Sequence, residues 1–169
     1  MSDKPLVVVV GPPAAGKTRV AKRLGKEFGV NVIDTDAIVV SRWGPIPELF
    51  ASHGEAFFRE QERAAVREAL SEPGIVALGG GAVIDPQTRD DLRDHRVALI
   101  TISADAVAPR LNNDKRPLLS GGIDAWKALV AARAELYESV ATRQFDASHQ
   151  SVDSLAQEVA QWVREDAGL

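Results

Sequence analysis

The chain has 169 residues, a formal charge of −4 and no cysteine. That length suits a single domain with a substantial core, and the lack of cysteine excludes disulfides, thiolate metal sites and a cysteine nucleophile. A mildly acidic chain without a dense basic block argues against nucleic acid as the main partner, so an anionic ligand would have to be held by individually placed cations. No apolar run reaches the length of a membrane span and Met1–Pro5 lacks a signal-peptide core, so a cytoplasmic protein with no membrane partner is expected.

The first element is the run Leu6–Val10, with four consecutive valines. A β-branched run without alternation predicts a strand buried on both faces, as in a parallel sheet covered by helices. It stops at Gly11, and Gly11-Pro12-Pro13-Ala14-Ala15-Gly16-Lys17-Thr18 satisfies G-x-x-x-x-G-K-[ST], the phosphate-binding loop. Backbone N–H groups that wrap a phosphate tolerate few side chains, hence the glycines, and the following helix adds its free N–H groups and positive dipole end. Lys17 is positioned by this pattern to lie between the β- and γ-phosphates of a nucleotide, and Thr18 to offer a hydroxyl to Mg²⁺.

The helix Thr18–Phe28 follows, with Val20, Ala21 and Leu24 on one stripe, and Gly29 ends it. Val30–Ile33 reads as a second strand running into Asp34-Thr35-Asp36. Alternation along a strand would send Asp34 and Asp36 to the same side, at the end of the sheet where open α/β folds bind ligands. With a phosphate loop upstream, Mg²⁺ for one and a substrate hydroxyl for the other is preferred over a turn with two solvated carboxylates.

Ala37–Trp43 is helical and Gly44-Pro45-Ile46-Pro47 breaks it. A short helix through Leu49 and Phe50 leads to His53-Gly54, and Glu55–Leu70 forms a longer one, on which Arg59 and Glu62 lie three residues apart. From spacing alone that is a surface pair. Gly74–Leu78 is the third strand, and Gly79-Gly80-Gly81 directly after it signals a tight turn or the close approach of a ligand. Asp85 caps a helix from Pro86 to Arg93, Val97–Ile102 is a fourth strand, and Ala104–Leu111 is a short helix. The polar segment Asn112–Pro117, followed by Leu118, Leu119 and Gly121-Gly122, fits a mobile loop of the kind that closes over phosphates. Ile123–Arg143 is the longest helix, Gln144–Ala147 a last strand, and Ser151 caps a closing helix to Glu165.

Taken in order, the phosphate loop, Asp34-Thr35-Asp36, Ile46…Phe50…Gly54-Glu55…Phe58-Arg59…Glu62, Gly79-Gly80-Gly81-Ala82-Val83, Arg116-Pro117-Leu118-Leu119 and Arg133…Tyr137…Ala141 resemble the shikimate kinase family across nearly the whole chain. The resemblance implies a three-layer α/β/α P-loop kinase fold with a central five-stranded parallel sheet, in one domain with a shikimate-binding subdomain near 34–62 and a lid near 112–122. It implies a monomeric enzyme acting on ATP and shikimate, which transfers a phosphoryl group to the 3-hydroxyl in aromatic amino-acid biosynthesis.

The resemblance also implies roles for particular residues. The loop from Gly11 to Thr18 would hold ATP, with Lys17 on the transferring phosphate, Arg116 reaching it from the lid and Arg110 against adenine. Thr18 and Asp34 would hold Mg²⁺. Asp36 would contact the substrate hydroxyl, and Arg59, Arg133, Gly80 and Gly81 would hold shikimate. The chain departs from the family where Ala14 stands for a common glycine, where Pro12-Pro13 stiffen the loop, and where Ile38-Val39-Val40 replaces an acidic position. Residue chemistry alone leaves two alternatives, another small-molecule kinase of gluconate-kinase type and a nucleotide-binding regulatory module without turnover. The second would be expected to lack Asp36, Arg59 or Arg133.

Overall fold

The first strand, β1 (Pro5–Val10), is valine-rich because it has two cores to fill. In the computed structural model, which describes residues 3–111 and 121–169, Val7 and Val9 face one apolar cluster and Val8 and Val10 the other. The same alternation holds for Ile75 and Ala77 against Val76 and Leu78, and for Ala98 and Ile100 against Val97 and Leu99. A sheet covered on both faces leaves its strands no polar side, and their sequences therefore show no polar period.

The chain alternates strands and helices: α1 (Lys17–Phe28), β2 (Val32–Asp34), α2 (Thr35–Trp43), α3 (Ile46–Leu70), β3 (Gly74–Ala77), α4 (Pro86–Asp91), β4 (Val97–Thr101), α5 (Ala104–Leu111), α6 (Gly122–Val140), β5 (Arg143–Asp146) and α7 (Val152–Ala167). The strands pair in the order β2-β3-β1-β4-β5, and every pairing is parallel. This is the expected five-stranded parallel sheet. Because β1 joins β3 on one side and β4 on the other, the connections diverge from its carboxyl end and leave a crevice there, which is where this class of sheet binds ligands.

One cluster packs α1 and α7 on the sheet through Val20, Leu24, Leu155, Val159 and Val163. The other packs α3 and α6 through Val66, Ala69, Leu70 and Tyr137. A third, smaller cluster of Val39, Leu49, Phe58 and Ala65 joins α2 to α3 beside the crevice. The caps read from the sequence are present: Asp85 accepts from the Gln87 N–H at 2.8 Å and Ser151 from the Ser154 N–H at 3.1 Å.

Boundaries moved in several places. The second strand begins at Val32 and ends at Asp34, so the next helix claims Thr35 and Asp36. The two helices expected on either side of Gly54 run together as α3 with a kink, Gly54 holding φ 83°. Helix α6 ends at Val140, and Arg143, expected in that helix, opens β5. Residues 112–120, and with them Arg116 and most of the expected lid, lie outside the described residues. Among the described residues no helix is long and apolar enough to cross a membrane.

Candidate active site

The phosphate loop turns at the carboxyl end of β1. Gly11 lies against the Ile100 carbonyl of β4 with φ 152°, a position where a Cβ would collide with backbone. Three successive loop carbonyls are tied down by side chains, the second and third from outside the loop. Pro12 O accepts from Lys17 Nζ at 2.9 Å, Pro13 O from Trp126 Nε1 at 2.9 Å and Ala14 O from Arg110 Nη1 at 2.9 Å. Carbonyls fixed in this way leave the N–H groups at the start of α1 to face an anion. The loop is stiff by composition, since Pro12 and Pro13 each have a fixed φ. Ala14 holds φ 66°, the only non-glycine residue with a positive φ among those described. The departure from glycine noted in the sequence thus falls on the one loop position where glycine would relieve strain.

Lys17 is buried and Thr18 sits beside it at the start of α1. Thr18 Oγ1 donates to Asp34 Oδ2 at 2.7 Å. The other oxygen of Asp34, Oδ1, caps α2 by accepting from the N–H groups of Asp36 at 2.9 Å and Ala37 at 3.2 Å. The carboxylate is therefore oriented from both sides. No group of three metal-ligating side chains forms among the described residues. One carboxylate and one hydroxyl are a donor set suited to a hard cation that keeps waters and takes its other ligands from phosphates.

Strand alternation stops at Asp34, because the helix begins at Thr35. Asp36 turns toward the glycine turn after β3, where a Cβ built on Gly79 would stand 2.5 Å from Asp36 Oδ1 and 3.0 Å from Glu62 Oε2. Thr35, between the two aspartates, is fully buried, and its Oγ1 accepts from the Gly79 N–H at 3.1 Å. Sequence reasoning assigned Thr35 nothing. Its hydroxyl fixes the glycine turn against the start of α2, and a threonine between two candidate aspartates was the available signal.

Around this turn the expected cations gather. Arg59 lies directly over Gly81, where any Cβ would meet its guanidinium. It pairs with Glu62 at 2.8 Å and with Glu55 at 3.3 Å, so the pair anticipated from spacing exists but points inward rather than to the surface. Arg133 is 5% exposed on a helix of otherwise ordinary amphipathic character. Tyr137, one turn on, donates its hydroxyl to Gly80 O at 2.6 Å, and burial pushes its phenol above the ordinary value. Glu62 is 4% exposed. Burial pushes its carboxyl up from 4.5 to about 6, Arg59 and Arg133 pull it down, and Asp36 adds to the rise. A cavity of about 220 Å³ opens beside Arg59, Glu62 and Ala82.

The site thus has two halves on one crevice. Lys17, Thr18 and Asp34 stand on the phosphate-loop side. Asp36, Arg59, Glu62, the Gly79–Gly81 turn and Arg133 stand on the other. Arg110 rests on the outer wall of the loop.

The family model for shikimate kinase matches residues 13–164. Curated shikimate kinases resemble the chain closely: that of Thermobifida fusca is 43% identical over 95% of both chains, and that of Mycobacterium avium 41% identical over 87% of this chain and 86% of its own. Among solved structures, a shikimate kinase from Acinetobacter baumannii in complex with shikimate superposes with a TM-score of 0.88 at 28% identity, covering 96% of this chain and 94% of that one. The chain belongs to the shikimate kinase family.

Proposed function

We propose that the two halves of this crevice carry out the family's reaction, ATP-dependent phosphorylation of the 3-hydroxyl of shikimate, with the following division of labour. The Gly11–Thr18 loop binds the phosphates of ATP, and Lys17 neutralises charge on the transferring group. Thr18 and Asp34 hold Mg²⁺, which would supply further neutralisation of the phosphates. Arg59 and Arg133 grip the substrate carboxylate, and the Gly79–Gly81 turn, having no side chains, lets the ring approach the backbone. Asp36 orients the acceptor hydroxyl and receives its proton as oxygen attacks the γ-phosphorus. The bond from that phosphorus to the β,γ-bridging oxygen breaks, and ADP leaves. Such a transfer needs positioning and charge neutralisation more than covalent chemistry, which is what this set of groups offers. Arg116 completes the set from the lid, Arg110 lies against adenine, and the enzyme works in the cytoplasm as a monomer.

The observation that carries this reading is Arg133. A helix surface would leave an arginine in water, yet here it is buried with Arg59, Glu62 and the glycine turn in one place. Two guanidinium groups beside one turn supply the planar N–H forks that grip a carboxylate through paired hydrogen bonds. Arg59→Lys and Arg133→Lys should each raise KM for shikimate roughly ten- to a hundred-fold and leave KM for ATP nearly unchanged, because lysine cannot make the two-pronged contact. Asp36→Asn should spare both KM values and lower kcat by about 10²–10⁴. Unchanged shikimate kinetics in both lysine variants would remove the carboxylate assignment.

A further inference from the structure

Helix α6 touches both halves of the site from one face. Trp126, Arg133 and Tyr137 are spaced by seven and four residues, so they form one stripe. The indole of Trp126 donates to the carbonyl of Pro13 in the phosphate loop, and the hydroxyl of Tyr137 donates to the carbonyl of Gly80 in the acceptor turn. The loop and the turn also meet directly: a Cβ on Gly80 would lie 3.3 Å from Pro13 Cδ and 3.4 Å from its Cγ. Pro13, Trp126, Tyr137 and Gly80 therefore close a ring, with an α-helix as its longest side. Pro13 has no N–H, so its carbonyl is its single backbone handle, and the double proline makes the loop answer as a unit to a pull on that handle.

We propose that Trp126 is a positioning residue for phosphoryl transfer, and that α6, fastened at Trp126 and Tyr137, acts as a gauge setting the distance and angle between the phosphate loop and the acceptor turn. Arg133, on the same stripe between the two fastenings, gives the substrate carboxylate the same reference. The inference rests on the site assignment above and goes beyond it, since neither Trp126 nor Tyr137 needs to touch ATP or shikimate. Its physical basis is the steep dependence of in-line transfer on geometry: a displacement of about 1 Å costs on the order of 10²-fold in rate while leaving each ligand's own contacts in place. A tryptophan that served only to fill the core would satisfy its indole N–H against any carbonyl. In that case losing the bond would alter stability alone.

The test is a double-mutant cycle on Trp126→Phe and Tyr137→Phe, with kcat, both KM values and urea unfolding measured for each protein. Each single change should lower kcat about tenfold with both KM values within about twofold of the parent. The double variant should be close to the singles, because a ring opened at one point gains little freedom from a second opening. Gly80→Ala, which pushes the turn against Pro13, should reproduce the kcat loss from the third side. The proposal is overturned if Trp126→Phe folds and keeps kcat within about twofold, whatever its stability, or if the two losses multiply. Should Trp126→Phe fail to fold, Tyr137→Phe decides alone by the same criterion. Failure of the site assignment would appear separately, as unchanged shikimate KM in Arg59→Lys and Arg133→Lys.

Discussion

Replacing Glu62 by glutamine tests the electrostatics of the crevice without relying on any ligand. Glu62 is 4% exposed and its carboxyl is raised from 4.5 to about 6, chiefly by burial. At about 1.36 kcal/mol per tenfold, that rise corresponds to about 2 kcal/mol. The direction follows from proton counting. Between 4.5 and about 6 the unfolded chain has released the Glu62 proton and the folded chain still holds it, so the folded state is progressively disfavoured as pH rises through this window. The contribution is fully present below 4.5 and gone above about 6. In the Glu62→Gln variant the amide would mimic the protonated form at every pH and still accept a hydrogen bond from Arg59, which reaches Glu62 at 2.8 Å in the parent. Urea unfolding of both proteins from about pH 4 to 8 should show the variant gaining on the parent by about 2 kcal/mol across the window, other carboxylates cancelling in the difference. A flat difference would refute the reasoning. A difference of opposite sign would mean that the Arg59 and Arg133 charges outweigh burial and hold Glu62 ionised.

Three further outcomes are expected. Ala14→Gly removes a left-handed conformation that costs a non-glycine residue about 1–2 kcal/mol, offset by about 0.5–1 kcal/mol of added chain entropy, so Tm should rise by about 2–4 °C. A fall in Tm in calorimetry would show that the Ala14 methyl contributes packing that exceeds its strain. Asp34→Asn should keep the cap on α2, because Asn caps as well as Asp, and should still raise the Mg²⁺ concentration needed for half-maximal rate; an unaltered Mg²⁺ titration would leave Asp34 as a cap alone. Segment 112–122 should gain amide protection when nucleotide and shikimate bind, as hydrogen exchange would register, and protection that is high and unchanged by either ligand would dismiss the lid.

What could be read from the sequence follows from the range of the forces involved. The valines of β1, the glycine and lysine of the phosphate loop and the caps Asp85 and Ser151 act on near neighbours, and their consequences were legible locally. The start of α2 at Thr35 was not, because it depends on where β2 stops, one residue inside the expected turn. Arg59 and Glu62 appeared as a surface pair since their spacing carries no information about the glycine turn that covers them. Thr35 to Gly79, Trp126 to Pro13 and Tyr137 to Gly80 join residues remote in sequence. A single hydroxyl or indole N–H gives no hint of its partner until the chain is folded. The burial of Arg133 is of the same kind, invisible in a helix whose pattern is otherwise ordinary.

The central place of β1 in the sheet has a consequence for how the chain acquires its shape. During synthesis β1 emerges before either of its partners, yet Val8 pairs with Val76 on one side and with Val97 on the other. Its row of valines must stay unpartnered, with hydrogen-bonding groups open, until both later strands have been made. Parallel pairing across such long intervening segments is slow, and an exposed β-branched run is the kind of segment that captures another chain. Until β4 arrives to press Ile100 O against Gly11, the phosphate loop has no wall to turn on. Nucleotide binding should therefore be among the last properties a nascent chain gains, and chains released before β4 should aggregate through β1.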